Sequence, residues 1–212
     1  MLYKEFKLAM HPTAIIFLSL SAMLLIPNYP YYMIFFYTTL AIFFTCLSGR
    51  ENHDIFYSMT LPIRKRDIVK SRFFLAILLQ IANVILAIPF ALIRRTFSMP
   101  GNQVGMDANI AFFGLSFLML GLFNLVFFTT FYKNTDKVGT SFLRGTIVVT
   151  LFIIIAEAST HAVPFVKNYL DTQDPKFITY KLVVLAAGLG LYGILTLLSY
   201  RKSVESFEAL DL

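Results

Sequence analysis

Six apolar stretches, at 13–26, 31–47, 73–93, 110–131, 142–160 and 177–200, constrain this chain more than any other feature. A helix needs ~20 apolar residues to cross ~30 Å of hydrocarbon, and each stretch meets or approaches that length. The pattern predicts an all-α integral membrane protein of six transmembrane helices, one domain over residues 1–212. Charge agrees: only 14% of residues are charged, where a soluble domain carries about 25%. A mean hydropathy of +0.72 excludes disorder, collagen and disulfide scaffolds, and argues against a cytosolic enzyme.

Proline sets the first boundaries. Pro27-Asn28-Tyr29-Pro30 ends the first helix and starts the second, since Pro breaks a helix interior but suits its first position. The first helix is therefore short. Ahead of it, residues 1–10 (MLYKEFKLAM) place Leu2, Phe6, Ala9 and Met10 on one helical face, with Lys4, Glu5 and Lys7 elsewhere. That is the pattern of a short amphipathic helix in the membrane interface.

Lysine and arginine orient the chain. With the N-terminus inside, 13 of the 18 Lys+Arg fall in inside segments, as cytoplasmic loops favour them. Both termini are then cytoplasmic, in a multi-pass protein of the plasma membrane. The net charge of +6 reads as basic loops beside anionic lipid heads rather than as nucleic-acid binding. The single cysteine, Cys46, lies in an apolar run and reads as a buried, inert thiol.

The loop at 49–72, GRENHDIFYSMTLPIRKRDIVKSR, holds a third of all Lys+Arg. Residues 51–60 suffice for two helical turns, with Ile55, Phe56 and Met59 on one face. Glu51 and Asp54 stand near its N-terminus, where the helix dipole favours acids. Pro62 ends that helix and opens the next. Composition leaves two roles open: docking a soluble partner, or lying on lipid head groups.

The run from Asp54 through Thr60-Leu61-Pro62, Arg64-Lys65-Arg66-Asp67 and Lys70-Ser71-Arg72 resembles a pattern in small ABC-2 type transporter permeases. There an acid and an aromatic precede a Ser-Leu-Pro-like turn, a basic pair and an acid. Thr60 replaces the serine here, and Arg64 stands where a small polar residue is common. The chain resembles Gram-positive permeases of the phenol-soluble modulin and bacteriocin exporter kind. The resemblance implies the transmembrane subunit of an ABC exporter, with two permease chains, identical or paralogous, and two ATPase subunits. It implies that the loop carries a coupling helix docked in an ATPase cleft. Phe56 and Met59 are the expected anchors, Tyr57 is next, Glu51 or Asp54 pairs at the cleft rim, and Pro62 is the rigid bend. An amphipathic or hydrophobic cargo is implied, peptide first.

The chain has no Gly-x-x-x-x-Gly-Lys-[Ser/Thr] sequence, so ATP and Mg would be bound by the partner chain. No catalytic or metal site is expected: His11, His53 and His161 are isolated. An intramembrane serine protease is the rival reading, from Gly114-Leu115-Ser116, but 182–200 offers no histidine base. Ala111, Gly114, Leu118 and Gly121 read better as a stripe for close helix packing. A membrane sensor or anchor without transport is a third reading.

Ionisable and amide groups inside spans are costly and face protein or water. They are Gln80, Asn83, Asn124, Arg144 and Glu157. Glu157 lies one turn before His161; the two could pair, meet a cationic cargo group, or touch interfacial water. They are the candidate translocation-path or gate residues. The segment 161–176 is too long for a simple turn, and 163–170 is expected to form a short outer helix. By resemblance that segment dips toward the pore as a gate.

Overall fold

The computed structural model describes residues 5, 10–97, 100–172 and 174–210, and these are helical without strands. The elements are α1 (Thr13–Ser19), continued by a 3₁₀ turn (Leu20–Leu25), α2 (Met33–Glu51), α3 (Asp54–Thr60) and α4 (Lys65–Thr96). They are followed by α5 (Ile110–Phe131), α6 (Val138–Ala162) and α7 (Ile178–Glu208). A π-type turn at Val166–Leu170 and a 3₁₀ turn at Pro175–Phe177 link α6 to α7.

Five helices among the described residues, α2, α4, α5, α6 and α7, are long and apolar enough to span; the stretch Thr13–Leu25 is shorter. Of the six expected spans, five are therefore long enough, and the first is the short apolar helix that the Pro27 boundary predicts. Seven α-helical and six 3₁₀ residues reach about 22 Å, short of the ~30 Å core. Pro12 and Pro27 bound the stretch, and its second half tightens to a 3₁₀ turn. Ser19 Oγ and Ser21 Oγ donate back to the Ile16 and Leu18 carbonyls at 2.7 and 2.8 Å, competing with the regular ladder. Ile26 then turns extended before Pro27, as a residue preceding proline prefers. Pro30 does not open α2, which begins three residues later at Met33.

Helix α4 is much longer than the apolar stretch it contains. Its 32 residues measure about 48 Å, and its first two turns carry charge. Helix α5 lies at the centre: 61% of its most apolar window is buried, against 22% for α6 and for α7. It starts where Asn109 caps it, the side chain accepting from Phe112 N at 3.0 Å.

The small-residue stripe of α5 meets α7, and its partner on that helix is Gly188. A Cβ on Gly188 would stand 2.0 Å from Gly114 O, and one on Gly114 would stand 2.6 Å from Val184 O. The two backbones touch, which only glycine allows. Two polar networks tie α4 to its neighbours. Gln80 and Asn124 exchange amide bonds at 2.7 and 3.0 Å, Tyr192 donates to Gln80 at 2.8 Å, and Asn124 donates to Thr196 at 3.0 Å. Asn83 donates to Ile34 O at 3.1 Å and accepts from Ser21, joining α4 to α2 and the 3₁₀ turn. Phe112, Phe123, Phe127 and Phe128 are fully buried, so these rings fill space.

Candidate functional site

The loop at 49–72 folds as a short helix clamped against two long ones. Helix α2 runs through Gly49 and ends at Glu51; Asn52 and His53 make the break, with His53 at φ 49°, ψ 34°. Glu51 is thus corrected: it is exposed at the C-terminal end of α2 rather than at the N-terminus of the short helix. Asp54 is the first residue of α3, where the dipole favours it. Ser58 Oγ donates to Asp54 O at 2.7 Å.

Ile55 and Met59, four residues apart, are half-buried and pack on the core. Phe56 and Tyr57 point away and are 66% and 59% exposed. Met59 is therefore an inward residue, and the outward aromatic pair is Phe56 with Tyr57. A small cleft of about 180 Å³, lined by His53, Phe56, Met59 and Phe131, flanks the helix. Pro62 is exposed and terminates α3, but it does not open α4; Arg64 caps that helix in an extended conformation.

The clamp is Arg72, whose side chain is 6% exposed. Its Nε lies 2.9 Å from Glu5 Oε2, its Nη2 pairs with the Asp54 carboxylate, and its Nη1 donates to Thr45 O at 3.3 Å. One guanidinium thus ties α2, α3, α4 and the N-terminal segment. Gly49 makes room, since a Cβ there would stand 3.3 Å from both Nη atoms. Asp54, expected at a cleft rim facing a partner, is engaged inside the chain. Glu5, expected on the polar side of an interfacial helix, is 1% exposed. Of that expected helix, residues 1–4 and 6–9 lie outside the described residues. Arg72 was not singled out as a site residue, although an arginine bordering an apolar stretch is such a pointer.

At the opposite end, Glu157 and His161 hold one loop rather than each other. Glu157 Oε2 accepts from Met106 N at 3.1 Å, and a Cβ on Gly105 would fall 1.1 Å from that oxygen. His161 Nε2 lies 3.2 Å from Val104 O and donates to it when it carries the proton. Of the alternatives left open for the two, a direct Glu157–His161 ion pair is not formed among the described residues; each side chain bonds the loop 104–106 instead. The expected short outer helix at 163–170 is present, helical over 164–170 with its second part π-type, and Asp174 caps the turn after it, accepting from Lys176 N at 2.9 Å. Asp171, in this segment, accepts from Asp107 N at 2.7 Å. Burial raises its carboxyl from 3.8 to about 6; the Asp107 amide opposes the rise, and the Asp107 charge adds to it.

Ser116 is buried and donates to Phe112 O at 2.8 Å, a back-bond within its own helix. Helices α4 and α7 diverge at both ends. Near the basic loop they leave a cleft of about 650 Å³ edged by Arg64, Arg66 and Lys70. At the far end they leave one of about 490 Å³ edged by Arg94, Arg95 and Lys181.

Spanning helices, a buried polar scaffold and a charge-clamped loop describe a multi-pass membrane protein of the transporter type. Residues 1–208 match the ABC-2 family transporter protein family, and the chain belongs to it. It is a permease, the transmembrane part of an ABC transporter and not its catalytic part, and the family implies association with an ABC ATPase. No curated protein and no solved structure matches the chain.

Proposed function

We propose that this permease moves an amphipathic or hydrophobic cargo, peptide first, out of the cell. It works as two permease chains, identical or paralogous, with two ATPase subunits that bind the ATP and Mg. The basic loop faces the cytoplasm with both termini, in the plasma membrane. Helix α3 is the coupling helix. Its carrying observation is the exposed Phe56–Tyr57 pair on a helix whose other face is tied to α4 through Asp54 and Arg72. Exposed aromatics on a rigid mount suit a protein cleft, where such side chains dominate interface energetics. The ion pair would transmit force that a free loop would dissipate.

The test is co-purification with the ATPase subunit expressed alongside. Phe56→Ala should weaken association by ~2 kcal/mol, roughly thirtyfold, and Phe56→Ala with Tyr57→Ala by more. Asn52→Ala, at an exposed turn residue, should leave it unchanged. Full retention of the ATPase and of cargo-stimulated hydrolysis in the double variant would place α3 on lipid instead.

A further inference from the structure

The far-end cleft between α4 and α7 has the chemistry of an amphiphile site. Its floor is apolar, including Leu92, Phe117 and Leu189. Its mouth carries Arg94, Arg95 and Lys181 against the two carboxylates of Asp107 and Asp174. Those acids are engaged. Asp107 accepts from Asn102 N at 2.8 Å and lies 3.6 Å from Arg94 Nη2, and Asp174 caps its turn.

Arg94 is the telling residue. It is 3% exposed, and its Nη2 donates to Pro100 O while its guanidinium lies 5.1 Å from the centre of the Tyr31 ring. Its Nε and Nη1 are buried with no hydrogen-bond partner among the described residues. A buried guanidinium left short of acceptors is costly, and an anion at the mouth would supply them. Lys181, 5% exposed, donates to Thr172 O and has further donors for the same anion.

Length selects the occupant. The lining on α4 runs from Val84 to Arg95, about 16 Å of helix, or half of a ~30 Å hydrocarbon core. One leaflet's acyl chain fits that wall, with its phosphate level with Arg94 and Arg95. Leu92 is 56% and Leu189 44% exposed, so the wall is reachable sideways from the bilayer. We infer that this cleft binds one anionic phospholipid from the leaflet at that end, the phosphate on Arg94, Arg95 and Lys181 and an acyl chain between α4 and α7.

The experiment is native mass spectrometry of the detergent-purified full chain titrated with palmitoyl-oleoyl phosphatidylglycerol, matched phosphatidylcholine or inorganic phosphate. A retained phosphatidylglycerol that phosphatidylcholine and inorganic phosphate do not displace is expected. Arg95→Gln with Lys181→Gln should weaken that lipid about tenfold or more, the scale of losing charge-assisted bonds. Leu189→Trp, which fills the apolar wall and leaves every charge, should remove it too. Equal retention of both lipids, full competition by inorganic phosphate, or an unchanged lipid count in both variants would overturn the assignment. So would displacement by an acidic amphipathic peptide at equal concentration, which would mark the cleft as a peptide path.

Discussion

Replacing Gly188 with alanine puts a methyl carbon where a carbonyl already stands. The new Cβ would lie 2.0 Å from Gly114 O, 2.6 Å from its carbonyl carbon and 2.9 Å from its Cα. A carbon and a carbonyl oxygen rest at about 3.3 Å or more, so α5 and α7 must separate by roughly 1 Å. No side-chain rotation helps, because every clashing atom is backbone. A gap of that size forfeits between a quarter and a half of the dispersion attraction along the contact. Helices in lipid depend on that attraction, since apolar surface gains nothing there by leaving water. The expected loss is about 2 kcal/mol, the middle of the overpacking range. Separation also strains the Asn124–Thr196 bond, which bridges α5 and α7 at 3.0 Å. The controls sit on the same helix: a Cβ at Gly190 or at Gly193 meets nothing within 4 Å. Gly193→Ala should be neutral or gain up to ~1 kcal/mol of helix propensity. Thermal unfolding of the three purified variants in one detergent decides the matter. If Gly188→Ala melts with Gly193→Ala, the close crossing is not what holds α5 to α7.

Arg72→Met should destabilise the chain by about 3–5 kcal/mol, because it strands the buried carboxylates of Glu5 and Asp54 without their cation; melting of the purified variant checks this, and an unchanged midpoint would refute the clamp. For Asp171, the folded carboxyl holds its proton more tightly than the unfolded one, with its value raised from 3.8 to about 6. Stability from this group is then full below about pH 4, falls as pH rises to about 6, and is flat above. Asp171→Asn should remove that slope from a melting series, and a slope that persists unchanged would assign it to another group.

Elements bounded by their own local chemistry were legible in the sequence. Helix α5 covers Ile110–Phe131, the stretch 110–131 that hydropathy outlines, because Asn109 caps a largely apolar run without a charge. The packing role of Gly114 and Gly121 was legible from their spacing. For helix α4 the apolar stretch 73–93 marks only the span, while the helix itself, expected to open at Pro62, starts three residues later and runs Lys65–Thr96, since a helix continues through charged residues wherever its backbone bonds are met. The short first helix was legible as well, because Pro27 sets its end. What could not be read was anything that joins distant positions. Arg72 meets Asp54 across 18 residues, and that contact turned Asp54 from a docking residue into a structural one. Glu157 is one turn from His161 in the sequence, yet both bond the distant loop that carries Gly105. Arg94 looked like one more outer charge; only its burial sets it apart.

The continuity of α4 has a mechanical consequence. A helix of 32 residues is a rod of about 48 Å, gripped near its base by Arg72 and carrying Arg94 close to its tip. Tilting such a rod by about 10° around its base sweeps the tip through roughly 8 Å, from the 1.5 Å rise per residue. A small displacement delivered at α3 would therefore arrive magnified at the far end of the chain. Pro89 lies inside the rod, five residues short of Arg94, and a proline there removes one ladder bond. A tilt would be transmitted stiffly up to that joint, and beyond it the last turns are held by the contacts of Arg94 to Pro100 O and the Tyr31 ring.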